Sequence, residues 1–496
     1  MKGKKNIITL LSVILVSCNF LAQNRPNIDT QKEEFKPNII YINVDDLGWK
    51  DVGFMGSTYF ETPNINQLSK EGMVFTQGYA GAANCAPSRA CLMSGQNTPR
   101  HGVYTVSPSA RGNTKTRKII PTKNTPHLNN EMVTLAEGFK MAGYTTGTFG
   151  KWHITNNPLK DGFDVNIGGG ARGHPGEKGY EAPYNGLPNL NSSPEGENLT
   201  DRLTSEAISF IEANKKNPFF LYLPYYAVHT PLMGKPALVE KYKAKGGSGG
   251  QDNPVFAAMV ENVDTNIGKL LKLLDNLKLR NKTLVVFTSD NGGIRAISSQ
   301  DPLRAGKGSY YEGGTRVPYI IRWPKIIKAG TINKTPIVNM DFFPTFMNII
   351  GVQLENKLLD GKDILPLFKG KNIDERPLFW HFPIYLQAYS QEKDDGQDPI
   401  FRTRPGSTVL YQNWKLHHYF ENNTLELYKL ETDLGERNNV AISNPKKAQQ
   451  LYKLLNDWRK EINAPVPKKL NSEYNPNFKP NNKSKYNPVL IKIESQ

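Results

Sequence analysis

Two acidic turns in this sequence carry side chains that could bind a metal ion. Asp45 and Asp46 end one apolar, β-branched run, and Asp290 and Asn291 end another. Three carboxylates and one carboxamide form an oxygen-rich set that suits Ca²⁺ or Mg²⁺ better than zinc. Either pair alone is also an ordinary helix cap or turn, so the metal prediction requires that the two pairs meet.

Two further apolar runs end in lysine or histidine. Lys151 and His153 are two residues apart in GKWH, the spacing that places two side chains on one face of a strand. His229 follows the run in PFFLYLPYYAVH. Each of these residues alone is common as a surface charge or a buried structural group, so their role depends on where the runs end.

Cys85 opens the stretch CAPSRACLMSG in a chain that has only three cysteines. Pro87 suits the first turn of a helix, which would place Cys85 at the helix N-terminus. Backbone N–H groups and the helix dipole favour negative charge there, and Arg89 would face the same way. We therefore expect an anion bound at this point to touch Cys85. Cys91 is expected to be a small buried apolar residue.

The elements that must position these residues alternate between strands and helices. Apolar runs at 38–46, 144–153, 218–229 and 283–293 are separated by amphipathic helical patterns at 62–72, 134–143, 203–214 and 257–277. This alternation predicts an α/β fold with a mostly parallel sheet that helices cover on both faces. Ligands bind at the carboxyl ends of such strands, so we expect the four polar endings to meet at one edge.

The N-terminus predicts export. Residues 1–17 have a lysine-rich start and an apolar stretch too short to cross a bilayer. Leu15-Val16-Ser17-Cys18 resembles a bacterial lipobox, which predicts a periplasmic or outer-membrane lipoprotein lipidated at Cys18 and held to the membrane only by that anchor. Cleavage after Ala22, giving a soluble periplasmic protein, is the alternative.

The charge of the chain favours an acidic partner. The 496 residues include 62 basic and 46 acidic residues, a net charge of +16, and loss of three lysines with residues 1–17 leaves +13. A spread of basic charge of this size suggests a polyanion. No zinc-finger spacing, RNA-binding signature or basic helix followed by heptads is present, so we do not expect nucleic acid to be the partner.

These motifs together resemble one enzyme family. Cys85-Ala86-Pro87-Ser88-Arg89 with VDDLGW, GKWH, HTPL, TSDNGG and GKGSYYEGGTRVPYIIRWP, in this order, is similar to the type I, formylglycine-dependent sulfatases of the alkaline phosphatase superfamily. The resemblance extends from about Lys36 to Glu436. It implies an alkaline-phosphatase-like α/β fold and the hydrolysis of sulfate esters.

The resemblance also implies a modified nucleophile and one metal ion. A formylglycine-generating or sulfatase-maturing enzyme would oxidise Cys85 to formylglycine (3-oxoalanine), whose hydrate would attack sulfur and form a covalent sulfate ester. One Ca²⁺ would be held by Asp45, Asp46, residue 85, Asp290 and Asn291.

The remaining motif positions imply roles in catalysis. Arg89 and Lys151 would stabilise the nucleophile and the sulfate charge, and Lys307 would also contact the sulfate. His153 would take the proton that allows the covalent ester to collapse. His229 would protonate the departing sugar oxygen.

The chain divides into five predicted regions. Residues 1–17 are the signal peptide, 18–36 a linker, and 37–370 the catalytic α/β domain. Residues 371–464 are predicted to be a smaller α+β subdomain with a short antiparallel sheet and one helix, as the resemblance also implies. A tail rich in proline, asparagine and lysine occupies 465–496 and is expected to wrap the surface or to be disordered.

Substrate residues are less clearly marked. Trp380 and Tyr385 could stack on a sugar and His381 could bond to it, although an apolar strand with a satisfied histidine fits equally well. Arg402 and Arg404 could bind a carboxylate or second sulfate, or could simply be solvated.

An exported basic sulfatase suits sulfated polysaccharides. We expect an algal glycan such as ulvan, carrageenan or fucan before glycosaminoglycans. The alternatives are a formylglycine-dependent phosphodiesterase or phosphonate hydrolase, which turnover of sulfate and phosphate esters would distinguish, and a non-catalytic glycan-binding lipoprotein, which would not require Cys85.

Overall fold

The computed structural model describes residues 36–478 except 107, 177, 185, 191–193 and 356. The predicted signal peptide, Cys18, the linker up to residue 35 and the tail from residue 479 lie outside the described residues. Among the described helices, none has the length and apolar character needed to cross a membrane. The described residues from Pro37 onward form one compact unit.

Sixteen strands are found in the described residues. In chain order, β1 to β16 are Asn38–Val44, Met73–Phe75, Gly78–Tyr79, Thr145–Phe149, Val165–Ile167, Phe219–Pro224, Thr283–Ser289, Tyr319–Arg322, Thr331–Asn333, Ile337–Val338, Leu378–Phe382, Leu386–Gln387, Phe401–Thr403, Gly406–Tyr411, Trp414–Tyr419 and Thr424–Lys429.

The same part of the chain contains eleven α-helices. In chain order, α1 to α11 are Pro63–Glu71, Cys85–Ser94, Thr98–His101, Leu135–Met141, Leu199–Asn214, Pro236–Lys245, Pro254–Asn276, Glu312–Thr315, Phe342–Ile350, Leu365–Phe368 and Pro445–Glu461. Short 3₁₀ helices occupy Gly53–Met55, Thr114–Thr116, Pro158–Asp161, Arg280–Lys282 and Asn339–Asp341.

The large sheet has eight strands in the order β5-β4-β6-β1-β7-β8-β2-β9. Its first five strands are mutually parallel, and β8 is antiparallel to both of its neighbours. The four apolar runs of the sequence form β1, β4, β6 and β7, and the predicted α/β class is confirmed.

Both faces of this sheet are covered, which explains why its central strands are apolar throughout. Ile40 and Ile42 of β1 pack in a cluster with α5 and α7, whereas Ile39 and Tyr41 pack with α2, α4 and α9 on the opposite face. Successive strand residues point to opposite faces, so each layer of helices receives every second side chain.

The region after residue 370 contains the predicted second sheet. Strands β11, β14, β15 and β16 form an antiparallel sheet in the order β11-β14-β15-β16. One face packs against α11 through residues such as Leu416 and Leu455, and the other packs against the segment before α8 through residues such as Phe382 and Tyr310. The described part of the tail is packed rather than loose, since Ile120 donates to Lys469 O and Asn471 to Lys118 O.

A buried cluster of charges joins the small sheet to the segment that follows Lys307. Lys415 of β15, fully buried, lies 2.8 Å from Glu312 Oε1 and 3.3 Å from Glu436 Oε1. Glu312, at the start of α8, also pairs with Arg316 at 3.0 Å. The lysine therefore offsets two carboxylates that have no access to water.

We expect Lys415→Met to destabilise the protein by about 3 kcal/mol or more, because it keeps the side-chain volume but leaves two buried carboxylates without their shared cation. Urea unfolding measures the change. Lys453→Met is the matched control, since Lys453 is exposed and its pair with Asp457 should contribute little. Equal stability of the two variants would contradict the role given to Lys415.

Candidate active site

The polar endings of four adjacent parallel strands meet at one edge of the large sheet. The strands lie in the order β4-β6-β1-β7, so their carboxyl ends are neighbours. Asp46 N donates to Asp290 Oδ1 at 3.2 Å, and Lys151 Nζ lies 2.6 Å from Asp45 Oδ2. The structure therefore brings together the acidic pairs and the lysine that the sequence placed after separate strands.

Two residues at this edge have an unusual backbone. Asp46 has φ of 60° and His153 has φ of 63°, in the left-handed region that non-glycine residues seldom occupy. Such conformations cluster at functional sites, where the surrounding structure compensates for the strain. They turn the chain sharply as it leaves β1 and β4.

The oxygen atoms of the acidic turns are arranged around a common point. Ligand atoms of Asp45, Cys85 and Asp290 all lie within 4.8 Å of one another. Asp45 Oδ1 and Asn291 Oδ1 are buried and have no hydrogen-bond partner. Buried polar atoms are rarely left unsatisfied, and a hard cation is the partner that carboxylate and amide oxygens suit. The residues present thus fit a Ca²⁺ site.

The two aspartates after β1 differ in pKa because they have different neighbours. Burial, together with Asp290 and Asp46, raises the pKa of Asp45 to about 8 although Lys151 opposes the change. Burial also acts to raise the pKa of Asp46, but Lys307, 2.6 Å away, reverses this and holds it below the usual range. Without a metal ion, keeping all these buried carboxylates charged is therefore unfavourable.

Cys85 is the first residue of α2, at the helix N-terminus that the sequence predicted. Pro87 lies in the first turn, and Cys85 Sγ is 4.0 Å from Asp46 Oδ1. Burial raises the pKa of the Cys85 thiol to about 11, despite the nearby Lys151 and Lys307. The unmodified thiol is protonated at neutral pH and is a poor nucleophile there.

Arg89 connects the helix to the acidic turns. Its Nε and Nη2 lie 2.8 Å from Asp290 Oδ2, and its Nη1 donates to Lys151 O at 2.6 Å. Arg89 and Lys307 are both buried, so they are fixed positive charges beside Cys85. Three cations in all, with Lys151, surround the place where an anion would bind.

The two predicted histidines lie close enough to this cluster to interact with Lys151 and Lys307. His229 Nε2 is 3.8 Å from Asp46 Oδ2, its Nδ1 is 2.6 Å from Thr230 O, and the side chain is 16% exposed. His153 Nδ1 is buried without a partner, and Gly173 packs so closely on its ring that a Cβ there would lie 2.3 Å from Cε1. Burial, helped by nearby lysines, lowers the pKa of both histidines.

The comparisons with known proteins agree with this arrangement. Residues 37–352 match the sulfatase family, and residues 306–463 match the C-terminal region of N-sulphoglucosamine sulphohydrolase. The chain belongs to the sulfatase family. It is therefore a sulfuric ester hydrolase, as the sequence motifs predicted.

Several relatives align with most of this sulfatase. A sulfatase of Formosa agariphila is 32% identical and the alignment covers 87% of this chain and 90% of the relative. N-acetylgalactosamine-6-sulfatase of Mus musculus is 33% identical, over 75% and 72%. The crystal structure of Ps i-CgsB in complex with k-i-k-neocarrahexaose has 31% identity and a TM-score of 0.69, over 85% and 92%.

The structure does not place His381 at the active site of the sulfatase. His381 is only 1% exposed, Nδ1 lies 2.8 Å from Ser407 Oγ and Nε2 lies 2.9 Å from Pro465 O. Trp380 is also buried and donates to Ala80 O, while the Tyr385 hydroxyl bonds to Glu421. These side chains of the small sheet hold the fold together, and the substrate role predicted for His381 does not agree with their packing.

The two predicted arginines have different environments. Arg404 is paired with Asp398 at 2.5 Å and with Glu421 at 2.8 Å, so its charge is already offset within the protein. Arg402, in contrast, donates from Nη1 to Lys307 O at 2.7 Å, directly behind a residue of the active site. Only Arg402 of this pair is therefore adjacent to the catalytic cluster.

The sequence did not indicate two tyrosines that support this site. The Tyr180 hydroxyl lies 2.7 Å from Tyr226 O and 2.8 Å from His229 O, and so fixes the backbone that carries His229. The Tyr389 ring lies 3.6 Å from the Arg402 guanidinium. Both tyrosines come from irregular segments, where no periodic pattern distinguishes a site residue from an ordinary loop residue.

Proposed function

We propose that this sulfatase hydrolyses sulfate esters of sulfated polysaccharides or oligosaccharides, with formylglycine at position 85 and one Ca²⁺. The observation that carries the proposal is the group formed by Asp45, Cys85 and Asp290, to which Asp46 and Asn291 are joined by hydrogen bonds and around which buried cations lie. No simpler role explains a buried cysteine at a helix N-terminus among so many paired charges.

The residues around Cys85 fit both groups. Asp45, Asp46, Asp290 and Asn291 would hold Ca²⁺ together with residue 85, and the ion would neutralise negative charge on the sulfate. The hydrate of formylglycine would supply the nucleophilic oxygen that the protonated thiol of Cys85 cannot supply.

The chain's own residues bind the sulfate and move protons. Arg89, Lys151 and Lys307 place positive charge where the sulfate oxygens gain negative charge in the reaction. His153, held neutral by burial and neighbouring cations, can accept a proton from residue 85. His229 lies next to Asp46, and the negative charge of a bound sulfate ester raises its pKa, so it can protonate the sugar oxygen that leaves.

Carrageenan-type sulfated galactans are the algal substrates with most support. Ps i-CgsB, 31% identical to this chain, was solved with k-i-k-neocarrahexaose bound. Ulvan, the first algal glycan expected from the sequence, stays a prediction. The second candidate is a 6-sulfated N-acetylgalactosamine in a glycosaminoglycan, favoured by the 33% identity with the murine enzyme. Similarity to a phosphonate monoester hydrolase, at 18% identity, reflects the fold alone.

We also propose that the protein is exported and anchored through lipidated Cys18. The proposal depends on residues 1–18 of the sequence, which lie outside the described residues. Fractionation of cells that express the protein tests it, because an anchored enzyme stays with the membranes.

Mass analysis of the active enzyme should find formylglycine at position 85. The tryptic peptide 71–89 should be found in its aldehyde form, lighter than its cysteine form by the difference between CH₂SH and CHO. Cys85→Ala should fold and lose turnover of sulfated oligosaccharides. Full activity in a sample that contains only cysteine at this position would refute the proposed nucleophile.

Removal of metal should change how stability depends on pH. When the pKa of a carboxyl is higher in the folded protein than in the unfolded chain, its protonated form favours folding. This contribution is complete below the pKa of the unfolded chain and is lost as pH rises through the pKa of the folded protein. For Asp45 the loss runs from about pH 4 to about pH 8. The Tm of EDTA-treated enzyme should therefore fall more steeply with rising pH over this range than the Tm of the Ca²⁺-loaded enzyme, in which the ion offsets the carboxylate charge. Identical Tm profiles with and without Ca²⁺ would rule out the assigned ligands.

Replacement of His229 by alanine should slow the hydrolysis of substrates with poor leaving groups most. A sugar alkoxide needs a proton as it leaves, whereas p-nitrophenolate leaves largely unaided. We expect His229→Ala to lower kcat/KM for a sulfated oligosaccharide by about 10²–10⁴-fold and for p-nitrophenyl sulfate by much less.

His153→Ala serves as the comparison for this prediction. His153 is proposed to act after the bond to the leaving group has broken, so its loss should slow steady-state turnover of both substrates to similar rates. Metal content of each variant should be measured first. Equal losses of His229→Ala on the two substrates would assign leaving-group protonation to another residue.

A further inference from the structure

A pocket of about 440 Å³ lies beside the active site and has no role in the chemistry described above. Arg111, Gln387, Tyr389 and Arg402 are among the residues that line it. Gly112 N donates to Gln387 Oε1 at 2.8 Å and Arg111 N donates to Tyr385 O at 3.3 Å, so the 110–112 segment is fixed to the segment containing β12. The pocket therefore has a wall from each of two distant parts of the chain.

The position of Arg402 connects this pocket to the active site. Its Nη1 donates to Lys307 O, and a Cβ on Gly308 would lie 2.6 Å from the same nitrogen. The Nζ atom of Lys307 contacts Asp46 at the other end of the side chain. The pocket and the proposed sulfate position are thus separated by about the length of one lysine side chain.

Arg402 is a buried cation that forms no ion pair with a described carboxylate. It is 3% exposed, and within the described residues no acid lies within ion-pair distance of it. The charge of Arg402 acts to lower the pKa of Asp394, but the two side chains form no such pair. Arg404, two residues away, pairs with two carboxylates instead. A buried charge without an ion-pair partner is costly, and this cost is usually recovered by a ligand or a function.

The orientation of Arg402 is fixed before any ligand binds. The guanidinium stacks on the Tyr389 ring at 3.6 Å, while Nε donates to Gln387 O at 2.9 Å and Nη1 donates to Lys307 O. The Nη2 donors have no partner among the described residues. A guanidinium held in this way can donate to a carboxylate or sulfate oxygen with little further loss of conformational entropy.

We propose that the pocket binds an acidic group, a carboxylate or a second sulfate, on the sugar residue next to the one that is desulfated. The inference rests on the proposed function, because it assumes that the substrate is a sulfated oligosaccharide. Arg402 and Arg111 supply the positive charge, and Tyr389 with the apolar wall of Ala110 and Ala388 supplies surface for the sugar ring.

Two matched pairs of oligosaccharides test the pocket and identify the acidic group. One pair is a tetrasaccharide of ι-carrageenan with its κ-carrageenan counterpart, which lacks the second sulfate. The other is the unsaturated disaccharide of chondroitin 6-sulfate with its carboxyl-reduced form. The readout is the ratio of kcat/KM between the more acidic and the less acidic member of each pair.

The wild type should favour the more acidic member of one pair by about tenfold or more, as expected for charged hydrogen bonds to a buried arginine. Arg402→Gln should bring this ratio close to one. The ratio is used because Arg402 also supports Lys307, so absolute rates for both members can fall. Arg111→Gln, which does not contact Lys307 in the structure, should lower the same ratio.

Lys123→Gln is the control for net charge, since Lys123 is exposed and outside the pocket, and it should leave the ratio as in the wild type. A wild-type ratio near one in both pairs, or an unchanged ratio in both arginine variants, overturns the pocket assignment while sulfatase activity remains. Absence of turnover of all four oligosaccharides by protein carrying formylglycine and Ca²⁺ overturns the proposed carbohydrate function itself, and the pocket assignment with it.

Discussion

The architecture of the site depends on the cost of holding three carboxylates together away from water. Asp45, Asp46 and Asp290 are all at most 2% exposed at the end of a parallel sheet. Their mutual repulsion and desolvation are offset by cations from three other elements, each fixed by close ion pairs. The lysines and the arginine that would bind sulfate are therefore also the groups that allow the carboxylates to remain buried.

This constraint extends to the small C-terminal sheet. The segment carrying Lys307 continues into α8, where Glu312 is held by Lys415 of that sheet. Arg402, from the same half of the chain, bonds to the carbonyl of Lys307 itself. The C-terminal region thus fixes Lys307 from behind and also supplies a wall of the neighbouring pocket.

The fold and the catalytic cluster could be predicted because strand endings are local signals. Asp45, Lys151, His229 and Asp290 each follow an apolar run, and parallel topology alone brings such endings together. Substrate residues gave no equivalent signal. In the sequence, His381, Arg402 and Arg404 were equally plausible substrate residues. Their contacts distinguish them: His381 bonds to Ser407, Arg404 forms an ion pair with Glu421, and Arg402 donates to the backbone of Lys307.

The two histidines differ in their surroundings, and the difference supports the roles proposed for them. Burial and the positive charges of Lys151, Arg89 and Lys307 lower the pKa of His153, which favours a neutral ring that can accept a proton. Burial and Lys307 lower the pKa of His229 as well, but Asp46 at 3.8 Å and the Thr230 carbonyl at 2.6 Å oppose this and favour its protonated form. A sulfate ester bound between the lysines would reduce their effect on His229. Environments that separate two similar groups in this way are typical of acid–base pairs, which supports the proposal that His229 donates a proton and His153 accepts one.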